Sequence, residues 1–198
     1  MEVQETRVQT TRVLTVPNAL SFLRLILLAA FLVVLLVADR PAAAVAILAA
    51  AGITDFLDGW AARRLHQISA LGQVLDPFAD RLTAVLVPVA MAISGALPWW
   101  VVVALVGRDA LLALTVPVIR ARTGAVALPV RFIGKAATFA LLVGLPFVLL
   151  GSLDGDAARV ALVVGWAFTL WGIALYWWSA AVYLAEIRAL PRRPRASS

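Results

Sequence analysis

The feature that most constrains the fold is a series of apolar blocks, each about twenty residues long and each bounded by charge, proline or glycine. Wound as a helix at about 1.5 Å per residue, such a block crosses a hydrocarbon core of roughly 30 Å. The blocks cover about 19–38, from Pro41 toward Arg63-Arg64, about 70–95, from Pro98-Trp99-Trp100 to Arg120, Arg122 and Gly124, about 128–151, and about 157–188. The expected fold class is therefore all-α, a polytopic membrane protein with six transmembrane helices. Its composition agrees, with 63% hydrophobic and 14% charged residues, against about 45–50% and about 25% in soluble domains. A soluble globule and a disordered chain are both excluded. The chain has no cysteine, so disulfides, thiolate metal sites and thiol nucleophiles are excluded too.

Charge sets the expected orientation. The link after the second block holds Arg63 and Arg64, and the link after the fourth holds Arg120, Arg122 and, just beyond, Arg131. The tail adds Arg192, Arg193 and Arg195. The other side has only Arg40 and Arg159, each near an acid, Asp39 or Asp156. Both termini are thus expected in the cytoplasm. The net charge of +6 points to anionic lipid as partner and not to nucleic acid, because the basic residues sit at the ends of apolar segments. Residues 1–16, with Glu2, Glu5, Arg7 and Arg12, read as a polar surface segment, 17–190 as one six-helix membrane domain, and 191–198 as a basic cytoplasmic tail. No cleaved signal peptide is expected, since the first apolar run is a full span without a small-residue cleavage pattern behind it.

Four acids interrupt this apolar pattern. An ionisable group inside a bilayer costs about 2.5–3.5 kcal/mol on insertion scales, so a cluster of them calls for a reason. Asp55 and Asp58 are spaced i, i+3, and Asp76 and Asp80 i, i+4, so each pair shares a helix face. The midpoint of 58 and 76 is 67, and that of 55 and 80 is 67.5. A hairpin turning at His66-Gln67-Ile68 would bring all four to matching depth. Unpaired, they would repel. Carboxylate oxygens suit a hard divalent cation, Mg²⁺ or Mn²⁺, and four acids can hold two such ions. Gly59, Ala62 and Gly72 would let a ligand approach the backbone, while Arg63 and Arg64 supply donors for phosphate. Metal, close backbone and arginine together point to a diphosphate. A structural helix-pair network or a divalent-cation transporter would also explain the carboxylates. Transport, however, leaves the small residues and arginine without a role and predicts polar groups toward the outer face, where the spans are apolar.

The run Asp55-Phe56-Leu57-Asp58-Gly59-Trp60-Ala61-Ala62-Arg63, then eight residues, Gly72, three residues, Asp76, three residues and Asp80 resembles the defining motif of the CDP-alcohol phosphotransferase family. Eight fixed positions over 26 residues are all matched. The entry Pro17-Asn18-Ala19-Leu20-Ser21 with Arg24, the stretch Arg64 to Arg81 and the aromatic final span are similar to the bacterial branch that makes phosphatidylglycerol phosphate and cardiolipin, its actinobacterial members above all. The resemblance implies that Asp55, Asp58 and Asp76 are metal ligands, that Asp80 lies near the metals and is the general base, and that Gly59, Ala62, Arg63 and Gly72 line the nucleotide and diphosphate site. It implies CDP-diacylglycerol as donor, CMP as leaving group, a bacterial inner-membrane location with the site facing the cytoplasm, and a homodimer. Phosphatidylglycerol is the lead acceptor and glycerol 3-phosphate the alternative.

Arg108, Arg131 and Lys135 are further basic groups at about the same expected depth, and Arg131 and Lys135 share a face at i, i+4. They are candidate contacts for an acceptor phosphate, and Gly107-Arg108 and Gly134-Lys135 occupy places comparable to those of the resembling branch. The plainer reading is that they snorkel to lipid headgroups, or that Arg108 pairs with Asp109. Trp99, Trp100, Trp177 and Trp178 read as interfacial anchors or packing groups, and Gly165 and Gly172 as points of close helix contact or dimerisation.

Overall fold

The computed structural model describes residues 16–65, 72–123 and 132–189, with side chains except at 16–18, 55–65, 72–74, 76, 118, 120–123 and 189. The described chain is all helical: α1 (Val16–Leu36), α2 (Pro41–Leu65), α3 (Gly72–Ile93), α4 (Trp99–Thr123), α5 (Phe132–Leu150) and α6 (Asp156–Ala189). The turn expected at His66-Gln67-Ile68, residues 1–15 and the basic tail lie outside the described residues.

Local chemistry explains the helix ends. Asp39 takes a left-handed φ of 49° just beyond α1, and Pro41, whose missing N–H costs nothing at a helix start, opens α2. Gly95 and Gly155, at φ 81° and 111°, make the turns before α4 and α6, and Asp156 places an acid in the first turn of α6. Among the described residues, four helices are long and apolar enough to cross a membrane: α1 over Ala19–Leu36, α4 over Trp99–Pro117, α5 over Phe132–Leu150 and α6 over Asp156–Arg188. In α2 the apolar stretch is shorter, Pro41–Thr54, because Asp55 begins the acidic motif.

The helices form two compact units that divide between Ser94 and Gly95. In the first, α1 packs against both α2 and α3. Ser21, Arg24, Leu28, Phe31 and Leu35 make its buried stripe, at the alternating three- and four-residue spacing of one helix face. Ala44, Leu48 and Ala51 are buried on α2, and Ala79, Val87, Ala90 and Met91 on α3.

In the second unit α5 packs along α6, and α4 also contacts α6. Close approach of the backbones depends on glycine. A Cβ on Gly165 would lie 2.4 Å from the Val148 nitrogen, and one on Gly144 would lie 2.6 Å from Thr169 Oγ1. The expectation of close helix contact at Gly165 and Gly172 is met within this chain, at α5. Trp100 stacks on Trp166 with ring centroids 6.0 Å apart, so it is a packing group between α4 and α6. Leu114, Val163 and Trp171 stay exposed, as suits apolar side chains whose solvent is lipid.

Candidate active site

The acidic motif occupies one end of the first unit. Asp55, Asp58, Gly59, Ala62 and Arg63 fall in the last three turns of α2, and Gly72, Asp76 and Asp80 in the first turns of α3. The short link between the two helices keeps those two ends close in sequence. Of the four acids, Asp80 is the one whose side chain is described. Its carboxylate accepts a hydrogen bond from Arg24 Nη1 and forms an ion pair with it.

Arg24 lies two turns from the start of α1, and Asp80 two turns from the start of α3. Both charges therefore lie about 12 Å along their helices, and their contact ties α1 to α3 at that depth. The two partners differ in exposure. The Arg24 side chain is 5% exposed and that of Asp80 61%. The cation is a buried support, and the carboxylate is the accessible face of the pair.

Oxygen donors alone make up the acid set, two on α2 and two on α3, and the carboxylate of Asp80 is open to a ligand. That donor chemistry fits a hard divalent cation and does not suit a soft metal.

In the second unit, Arg108 lies on α4 with its side chain 13% exposed. Its Nη1 donates to Asp109 Oδ1 at 2.9 Å, so the simple pairing read from the sequence is present. Tyr176 of α6 adds two contacts. Its hydroxyl donates to the same Asp109 oxygen at 2.7 Å, and its ring lies under the guanidinium with 3.8 Å between the Arg108 carbon and the centroid. Lys135 is exposed in the first turn of α5, and Arg131 lies outside the described residues.

Residues 14–171 match the family described as CDP-alcohol phosphatidyltransferase. The chain belongs to that family. It is thus a phosphatidyltransferase enzyme with a helical membrane domain, and it carries a motif whose family generally uses divalent metal ions. Its relatives include a Mycobacterium tuberculosis protein named "Putative cardiolipin synthase", 48% identical over 182 residues that cover 92% of this chain and 87% of the relative. A Streptomyces coelicolor "Cardiolipin synthase (CMP-forming)" is 44% identical over 200 residues, covering 97% of this chain and 91% of the relative. An Arabidopsis thaliana CDP-diacylglycerol–glycerol-3-phosphate 3-phosphatidyltransferase is 34% identical over 158 residues, covering 73% of this chain and 52% of the relative. These relationships imply CDP-diacylglycerol and phospholipid substrates for the phosphatidyltransferase.

Two contacts went unread in the sequence. Arg24 was visible as an ionisable residue inside an apolar span, and the cost argument applied to the acids extends to it: a buried arginine calls for a carboxylate. Nothing local named Asp80, 56 positions away, as that partner. Tyr176 gave no signal at all, since it opens an aromatic run and meets Asp109 only across 67 positions.

Proposed function

We propose that this phosphatidyltransferase is a cardiolipin synthase, moving the phosphatidyl group of CDP-diacylglycerol onto a free hydroxyl of phosphatidylglycerol with release of CMP. The observation that carries the acceptor is the likeness to cardiolipin synthases across more than nine-tenths of the chain.

In this reading Asp55, Asp58, Asp76 and Asp80 would hold Mg²⁺ or Mn²⁺, two ions by the number of carboxylates. When bound, the ions offset the charge of the diphosphate and of the departing CMP. Gly59, Ala62 and Gly72 leave room for the nucleotide against the backbone, and Arg63 donates to the diphosphate. Asp80 takes the proton of the acceptor hydroxyl. The resulting oxygen attacks the phosphorus that bears diacylglycerol, and the bond from that phosphorus to the bridging oxygen of CMP breaks. Each turnover yields one phosphodiester, one CMP and one proton, with no covalent enzyme intermediate. Arg24 supports the step by fixing the orientation of the Asp80 carboxylate. Arg108, Arg131 and Lys135 bind the acceptor's phosphate.

The charge pattern supports six spans with both termini and the site on the cytoplasmic face of the bacterial membrane, and the family resemblance supports a homodimer. The test is CMP release by the purified protein with CDP-diacylglycerol and Mn²⁺, supplied in parallel with phosphatidylglycerol or glycerol 3-phosphate. Release that needs phosphatidylglycerol is expected. Release that needs glycerol 3-phosphate instead would reassign the chain to phosphatidylglycerol-phosphate synthesis.

A further inference from the structure

A flexible arginine is a poor reader of a phosphate unless something holds its plane. The guanidinium is a rigid fork whose value lies in presenting two parallel N–H groups at once, and free rotation of a long side chain works against that. In the second unit the Arg108 plane is held twice. The Tyr176 ring covers one face at 3.8 Å, and Asp109 Oδ1 takes one edge at 2.9 Å. The Tyr176 hydroxyl then donates to that same oxygen at 2.7 Å, which closes a three-residue ring joining α4 to α6. Among the described residues Asp109 is the hydrogen-bond partner of the guanidinium, and Nε is buried without one. The arrangement spends one of five donors on support and leaves others for a ligand.

We infer that Tyr176 and Asp109 are positioning residues that hold the Arg108 guanidinium as a fixed reader of the glycerol-bound phosphate of the acceptor. This rests on the reading of Arg108 as an acceptor contact. Asp109 has a second effect. It balances the charge of a largely buried arginine in the absence of substrate, while the Tyr176 hydroxyl shares its oxygen and so weakens its repulsion of an incoming phosphate. The tyrosine thus sets both the plane of the arginine and the strength of its counter-ion. A phosphodiester in phosphatidylglycerol and a phosphomonoester in glycerol 3-phosphate present the same glycerol-linked oxygens, and separate acceptor titrations distinguish them.

The experiment is steady-state kinetics of the full-length protein in lipid micelles with Mn²⁺, varying phosphatidylglycerol at saturating CDP-diacylglycerol and then the reverse, repeated with glycerol 3-phosphate. Tyr176→Phe keeps the ring and removes the hydroxyl, and its acceptor KM is expected to rise about fivefold. Tyr176→Leu also removes the ring, and its acceptor KM is expected to rise about tenfold or more. In both, kcat and the donor KM stay within about twofold of wild type. Asp109→Asn is expected to behave like Tyr176→Phe. Arg108→Ala is expected to raise the acceptor KM most, and adding Tyr176→Phe to it is expected to change nothing further.

If Arg108→Ala raises the acceptor KM while Tyr176→Phe and Asp109→Asn leave it alone, the positioning role is overturned and the acceptor reading stands. If Arg108→Ala leaves the acceptor KM unchanged, the acceptor reading falls and the inference with it. A Tyr176→Phe effect that persists in the Arg108→Ala background, or that moves donor and acceptor KM together, marks a structural role and also overturns the inference.

Discussion

The two three-helix units each bury an arginine beside an aspartate, but they do so in opposite ways. In the first, Arg24 reaches across from α1 to Asp80 on α3, the cation 5% and the anion 61% exposed. In the second, Arg108 and Asp109 are neighbours on α4, 13% and 29% exposed, and are fixed by Tyr176 from α6. An arginine that reaches a distant helix can support an anion without covering it, which suits the proposed role of Asp80 as the base for an acceptor hydroxyl. An arginine paired with its own neighbour is itself the group being held. In both pairs the arginine is the less exposed partner, so what separates them is where the aspartate comes from, a distant helix in the first unit and the adjacent residue in the second.

This comparison can be broken by substitution. The largest effect is expected at Asp80, the proposed base. Asp80→Asn should lower kcat by about 10²–10⁴-fold, the range typical for loss of a general base. CDP-diacylglycerol should still bind, as measured by equilibrium binding of the labelled donor. Removal of divalent metal with excess chelator should stop CMP release to a similar extent, and Mn²⁺ should restore it. Retained turnover in chelator would remove the four aspartates from the ligand role.

A smaller effect is expected at the support. Arg24→Ala should reduce kcat by about 10–100-fold, and Arg24→Lys, which keeps the charge but loses the planar fork, should recover part of it. Equal effects of both variants on kcat and on thermal unfolding would make Arg24 a packing residue only. The contrast sharpens at the helix interface of the second unit, where no charge is involved. Gly165→Val must push aside the Val148 backbone and should destabilise the protein by about 1–3 kcal/mol, read as a lower unfolding temperature, with the acceptor KM of the folded fraction unchanged. The smallest effect is expected for exposed Lys135. Lys135→Ala should raise the acceptor KM by a few-fold and leave the donor KM alone, as befits a solvated cation. A change confined to the donor KM would place Lys135 at the nucleotide instead.

Much of this was legible in the sequence because the bilayer makes local patterns informative. Six helices are expected from the apolar blocks, and Asp39-Arg40, Pro41 and Pro98 mark links between them, whereas the turns at Gly95 and Gly155 emerge from the backbone angles. The acids of α2 and α3 stood out because charge in an apolar chain is costly, and their spacing alone placed each pair one turn apart. Gly165 was readable as a contact point, whereas Gly144, its counterpart on α5, was not singled out because one glycine in a helix says nothing of what faces it. The same limit hid Arg24–Asp80 and Tyr176–Asp109. Which residue meets which across helices depends on how the helices are rotated against one another, and no single helix carries that information.

The most direct test of the central claim is the mass of the lipid product formed from deuterated phosphatidylglycerol and unlabelled CDP-diacylglycerol. The account predicts cardiolipin with one labelled and one unlabelled phosphatidyl group, formed in step with CMP. Cardiolipin carrying label in both phosphatidyl groups, formed without CMP, would contradict it.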